Sequence, residues 1–144
     1  MKYECRVLPG GSGTAAAFLA PMFAAWSEGS GVDLHPGTLN LCSKVAPFIP
    51  AKFDRLRGDL APRLQGHPRL SPRLYPIRLT GPNGAEVAAW LFRWTAPEHI
   101  GPPFVEDADG CAYRNRWEVV AAVRLRDALG LGEEEGAEVV AAFR

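Results

Sequence analysis

Thr38 and Asn40 stand two residues apart, directly after Pro36-Gly37, in the stretch His35-Pro36-Gly37-Thr38-Leu39-Asn40-Leu41. In an extended strand, residues i and i+2 project from the same face. Thr38 Oγ1 and Asn40 Oδ1 are therefore expected side by side. Two neutral oxygens suit Mg²⁺, a hard cation that fills its other positions with water and substrate phosphates. Gly37 adds a point where a ligand can approach the backbone closely. The same letters also describe a plain turn leading into a strand, and the segment alone does not separate the two readings.

A second candidate is the turn Gly10-Gly11-Ser12-Gly13-Thr14. Glycine-rich turns present consecutive backbone N–H groups to phosphate oxygens, and a helix starting just beyond adds its dipole. No Gly-Lys-Ser/Thr follows, so this is no Walker loop, and the spacing of the dinucleotide fingerprint is absent. A flexible connector is the competing reading. The third candidate is Glu118, within Trp117-Glu118-Val119-Val120-Ala121-Ala122-Val123-Arg124-Leu125-Arg126. A carboxylate among apolar neighbours can accept hydrogen bonds from sugar hydroxyls or an imide N–H, although strand alternation equally allows it to face solvent. Arg124 and Arg126 bracket Leu125, which puts at least one of them on the surface. Trp90, Phe92 and Trp94 share one face of a strand and are read as barrel core in preference to a ring-stacking platform. The basic run Lys52, Arg55, Arg57, Arg63, Arg69, Arg73 and Arg78 is read as a solvated surface, with phosphate binding the alternative.

These residues need elements to hold them. Residues 2–8 alternate as a strand, and Pro9 to Gly13 end it. Ala15 to Glu28 carries Phe18, Met22, Ala25 and Trp26 at helical spacings, with Pro21 opening the helix proper and Gly29-Ser30-Gly31 stopping it. A strand follows over 38–44, and the five prolines of 46–72 imply short strands joined by turns. Leu74–Thr80 and Ala85–Trp94 make a hairpin around Gly81-Pro82-Asn83-Gly84. Residues 95–115 read as a polar loop and 116–121 as a strand. A short helix over 123–129 has Leu125 and Leu129 inward, ended by Gly130 or Gly132, and 136–143 forms the closing strand. Short strands with frequent turn signals predict a mainly β fold, a small closed β-barrel with two or three short helices, in one domain spanning 1–144.

With 144 residues the chain is long enough for a real core, and its zero net charge supplies no field for nucleic acid or an anionic membrane. Charge is uneven, with eight Lys/Arg against five Asp/Glu in residues 1–72 and eight against eleven in 73–144. Cys5, Cys42 and Cys111 are too scattered for a metal pair and odd in number, so they read as reduced thiols. His35, His67 and His99 form no zinc pattern. Without a leader-like start or a long apolar run, the expectation is a cytoplasmic protein with no membrane partner. Nothing in the sequence sets an oligomeric state.

Taken together, the motifs resemble those of the archaeal-type CTP-dependent riboflavin kinases, a family of cradle-loop barrels. The family pattern runs from a glycine-rich loop and an aromatic to P-G-T-L-N. It continues near the C-terminus with E-I-I-A-P-x-x-L-R and L-x-L-x-D-G-D-x-V. The counterparts here are Gly11-Ser12-Gly13-Thr14-Ala15 with Phe18, then Pro36-Gly37-Thr38-Leu39-Asn40. They continue with Glu118 to Arg126, Leu129-Gly130-Leu131 and Glu135-Gly136-Ala137-Glu138-Val139. The resemblance spans almost the whole chain. It implies that Thr38 and Asn40 hold Mg²⁺ and that Gly11, Ser12, Gly13, Thr14, Ala15 and Ala16 cover the CTP phosphates. It also implies that Val123, Arg124, Leu125 and Arg126 lie against the cytidine and that Glu118 contacts the flavin. The implied substrates are riboflavin and CTP, the products FMN and CDP.

Thr14 and Ala15 stand where the family loop has Glu and Gly, Gly110-Cys111 where it has Thr-Tyr, and Ala122 where it has Pro. These departures keep a second reading open, a non-catalytic nucleotide- or flavin-sensing module on the same barrel. A DNA-binding regulator is disfavoured by zero net charge and the lack of a helix-turn-helix pattern.

Overall fold

A computed structural model describes residues 1–9, 31–50, 73–93, 109–133 and 136–144, together with Phe23 and Ser27. Six strands appear in chain order: β1 Lys2–Val7, β2 Leu39–Ser43, β3 Arg73–Thr80, β4 Glu86–Arg93, β5 Arg116–Val120 and β6 Glu138–Phe143. They close into a barrel in the order β1-β2-β5-β4-β3-β6, with every neighbouring pair antiparallel. The mainly β, small closed barrel expected from the sequence is what the chain forms.

Period-two alternation selects the interior. Tyr3, Cys5 and Val7 of β1, Leu39 and Leu41 of β2, and Trp117 and Val119 of β5 enter the core. Tyr75, Ile77 and Leu79 of β3, Ala89 and Leu91 of β4, and Val139 and Ala141 of β6 join them, with Ala121, Leu125, Leu129 and Leu131 closing one end. Trp117 is fully buried, and its ring lies 5.4 Å from Tyr3 and 5.5 Å from Phe143. Its indole N–H donates to Ser43 Oγ at 3.0 Å, so the polar edge of this large side chain is satisfied inside.

The aromatic face of β4 departs from expectation. Ala89 and Leu91 point inward, which leaves Trp90 and Phe92 on the outer wall rather than in the barrel core. There Phe92 joins a second apolar cluster with Phe23, Leu34, Leu74 and Val120, while the Arg144 guanidinium lies 5.2 Å above the Trp90 ring. The physical reason is volume. Trp117, Tyr3 and Phe143 already fill the lumen, so β4 turns its small and aliphatic side inward. Trp94 lies outside the described residues, as do Lys52, Arg55, Arg57, Arg63 and Arg69.

The expected helix over 123–129 is a single turn, α1 Leu125–Ala128. Leu125 and Leu129 are both buried, as their spacing requires. The Leu131 N–H donates to Arg126 O at 2.8 Å and the Gly130 N–H to Asp127 O at 3.1 Å, the pair of bonds that ends a helix. Phe23 and Ser27, which fall in the expected N-terminal helix, are helical.

The thiols also depart from expectation. Cys42 and Cys111 form a disulfide with a Cα–Cα distance of 6.0 Å, within the span of about 4.4–6.8 Å that such a bond needs. Only closure of the barrel brings the 109–115 segment against β2, so chain spacing could not show the pair. Cys5 is a free, buried thiol, and burial pushes its pKa up to about 12.

Candidate functional site

The site is built where the ends of β2 and β5 meet. The His35 N–H donates to Ala121 O at 2.8 Å, which ties the segment entering β2 to the chain leaving β5. Behind that bond lies a cavity of about 190 Å³. One wall is His35, Pro36, Gly37, Thr38 and Leu39, and the other is Ala121 with Val123, Arg124, Leu125 and Arg126. The segment singled out for its neutral oxygens and the segment that the family resemblance sets against a nucleotide thus face each other. Gly37 has φ of 134°, a conformation that strains any residue with a side chain. A Cβ there would meet nothing within 4 Å, so the glycine serves the backbone path rather than a tight packing contact.

Asn40 lies on the outer wall of the barrel, since Leu39 and Leu41 on either side of it point inward. Thr38 lines the cavity and Asn40 does not. Asn40 Oδ1 is buried and has no hydrogen-bond partner among the described residues. A buried oxygen left without a donor costs roughly 1–3 kcal/mol, so this atom is suited to a ligand that brings positive charge. Neutral oxygens of Asn and Thr fit a hard divalent cation whose charge is balanced by phosphates. Among the described residues no group of three or more His, Cys, Asp or Glu could hold a metal ion by itself.

Glu118 is the cross-strand partner of Asn40. It is half-buried on the same outer wall, where cross-strand neighbours stand close enough to act on one ligand. Desolvation pushes its carboxyl above the ordinary range, while the Arg116 and Arg93 charges pull it down. The next pair along the wall is Cys42 and Arg116. The Arg116 guanidinium donates to both oxygens of Asp109, at 2.7 and 2.5 Å. Desolvation works to raise Asp109, but the Arg116 bond and charge, the Cys111 N–H and the Arg6 charge together hold it below its ordinary value.

At the other end of the site Arg124 is half-exposed and ion-paired with Asp127 and Glu133, both at 2.8 Å. Arg126 reaches Gly132 O at 3.3 Å. Leu125 is buried and lines the same cavity between these two arginines in the chain. Of the expected nucleotide-binding residues, Gly11, Ser12, Gly13, Thr14, Ala15 and Ala16 lie outside the described residues.

Sequence reading missed Arg116, Arg93 and Asp109. Arg116 had a usable signal, because it precedes Glu118 by two and so shares its face. Arg93 and Asp109 are distant in the chain and carry no such mark. The sequence matches no protein-family model, and no curated protein matches it.

Proposed function

We propose that this protein is a Mg²⁺-dependent phosphotransferase that passes the terminal phosphate of CTP to the 5′-hydroxyl of riboflavin, giving FMN and CDP. The observation that carries this reading is a cavity shared by 35–39, which brings Thr38, and by 121–126, which brings the residues that the family resemblance sets against the cytidine. Its volume of about 190 Å³ is below the roughly 300–1,000 Å³ of a whole-ligand site. It therefore suits one portion of a nucleotide, with the phosphates left to the loop at 11–16.

In this reading Val123 to Arg126 lie against the cytidine, and Thr38 and Asn40 offer oxygens to Mg²⁺. Bound there, the cation neutralises phosphate charge. Glu118, one rung across from Asn40, accepts hydrogen bonds from the flavin, and its position would bring acceptor and phosphate side by side. Phosphoryl transfer depends mainly on such alignment and on charge stabilisation, so a barrel with no obvious base is adequate. The reading places the chain in the cytoplasm, with small-molecule substrates and neither nucleic acid nor membrane as partner. Among the described residues no helix is long and apolar enough to cross a membrane.

The second reading is a non-catalytic nucleotide- or flavin-binding module, favoured by Thr14 and Ala15 in the loop. One experiment separates the two. Purified protein is incubated with riboflavin, Mg²⁺ and each nucleoside triphosphate in turn, and FMN is followed by chromatography. CTP is expected to support turnover far better than ATP. Equal use of both removes the assignment of 123–126 to cytosine. Flavin binding without turnover on any triphosphate establishes the module instead.

A further inference from the structure

The Cys42–Cys111 bond stands apart from the chemistry proposed above, yet it is placed where it can act on it. Cys42 is half-buried and lines a surface groove, whereas Cys111 is fully buried. Cys42 borders a groove of about 240 Å³ over β1, β2 and β6, along with Arg6, Lys44, Glu4 and Glu138. Arg6 donates to Asp109 O at 3.4 Å and to Gly110 O at 3.3 Å, and Lys44 pairs with Glu4 at 2.5 Å. A thiolate entering the groove thus meets two cations on the way to Cys42, although Glu4 and Glu138 partly offset them.

The bond also tethers Asp109. The Cys111 N–H donates to Asp109 Oδ1 at 3.2 Å, and Asp109 holds the Arg116 guanidinium. Arg116 opposes Cys42 in the sheet, one same-face step from the Asn40–Glu118 pair. We propose that Cys42–Cys111 is a thiol–disulfide exchange site for dithiols, and that its reduction loosens the part of the outer wall carrying Asn40 and Glu118.

The step balances as ordinary exchange. One thiolate of the dithiol bonds to Cys42 Sγ, the S–S bond breaks, and the electron pair leaves on Cys111 Sγ, which takes a proton from solvent. The second thiolate then attacks the reagent sulfur of the mixed disulfide and releases Cys42 as a thiolate, which is protonated in turn. The dithiol is oxidised to a cyclic disulfide and the protein gains two thiols. Nothing in this depends on the kinase reading.

The test treats the folded full chain with increasing dithiothreitol, quenches with iodoacetamide and maps the alkylated cysteines by mass spectrometry. Cys42 and Cys111 are expected to label together, at a rate proportional to dithiothreitol, while Cys5 stays unlabelled. A rate independent of dithiothreitol, with Cys5 labelled in step, would mean that only global unfolding exposes the bond and overturns the proposal. Labelling of Cys42 before any reductant is added overturns it as well. Lys44→Glu, at an exposed position, should slow reduction on the order of tenfold by repelling the thiolate, and an unchanged rate overturns the groove as the entrance. Hydrogen exchange on the reduced protein should rise at 109–118 and stay unchanged in the β3–β4 hairpin. No rise at 116–118 overturns the coupling to Glu118.

Discussion

At the scale of single residues, Asn40 and Glu118 are both poorly satisfied by the described protein, and each makes a separate prediction. Asn40 Oδ1 has no partner among the described residues, so Asn40→Ala removes an unpaired buried oxygen and should not lower the midpoint in melts without nucleotide. In the proposed reaction the same change should abolish turnover and raise the Mg²⁺ requirement. Glu118 makes a prediction with a pH sign. Its folded pKa is raised, first by desolvation, so the ionised form is the one the fold disfavours. The penalty is absent below the unfolded value, grows as pH rises through it, and is complete above the folded value. Glu118→Gln should therefore melt higher than wild type at neutral pH, with the gap closing as pH falls toward the ordinary carboxylate range. Riboflavin affinity, read by quenching of flavin fluorescence, should drop about tenfold if the carboxylate accepts a hydrogen bond from the ring system. A melt gap that stays constant across pH would locate the effect in packing rather than in charge.

Elements work here as spacers between loops. The β3–β4 hairpin returns through Gly81, whose N–H donates to Ala85 O at 2.8 Å. A Cβ on Gly81 would lie 2.5 Å from Leu129 O, a backbone atom at the end of α1. The hairpin turn thus packs directly against the helical turn that follows the candidate cavity. Gly81→Ala should cost about 1–3 kcal/mol, the usual range for forcing an extra methyl into a packed position. Urea unfolding would measure it.

At the scale of the whole molecule, the Cys42–Cys111 disulfide joins β2 to the segment before β5. It closes a sequence separation of 69 residues, and the chain-entropy relation for a loop of that size gives about 4 kcal/mol. Replacing Cys42 and Cys111 together by Ser should lower unfolding free energy by up to that amount, seen as a lower midpoint in urea. Barrel closure, by contrast, rests on the apolar interior that the replacement leaves intact, so circular dichroism of the folded variant should be unchanged. Loss of all β signal would show that the barrel depends on the cross-link to form.

Much of this arrangement was legible in the chain. Apolar runs and turn signals located the six strands of the described residues, and turn residues located the hairpin. The types and spacing of Thr38 and Asn40, and a carboxylate at 118 among apolar neighbours, suggested candidate site residues, while 123–126 entered only through the family resemblance. Two things were decided only by tertiary structure. Alternation has a period of two but no sign, so it grouped Trp90 with Phe92 correctly, while the placing of their side in the barrel core was wrong. The volume of Trp117, Tyr3 and Phe143 settled that, and volume is a property of the closed barrel. Likewise Cys42 and Cys111, or Asn40 and Glu118, become neighbours only through the β2–β5 register and the placement of the 109–115 segment. Those pairings are long-range, and nothing in the local chemistry of either partner points to the other.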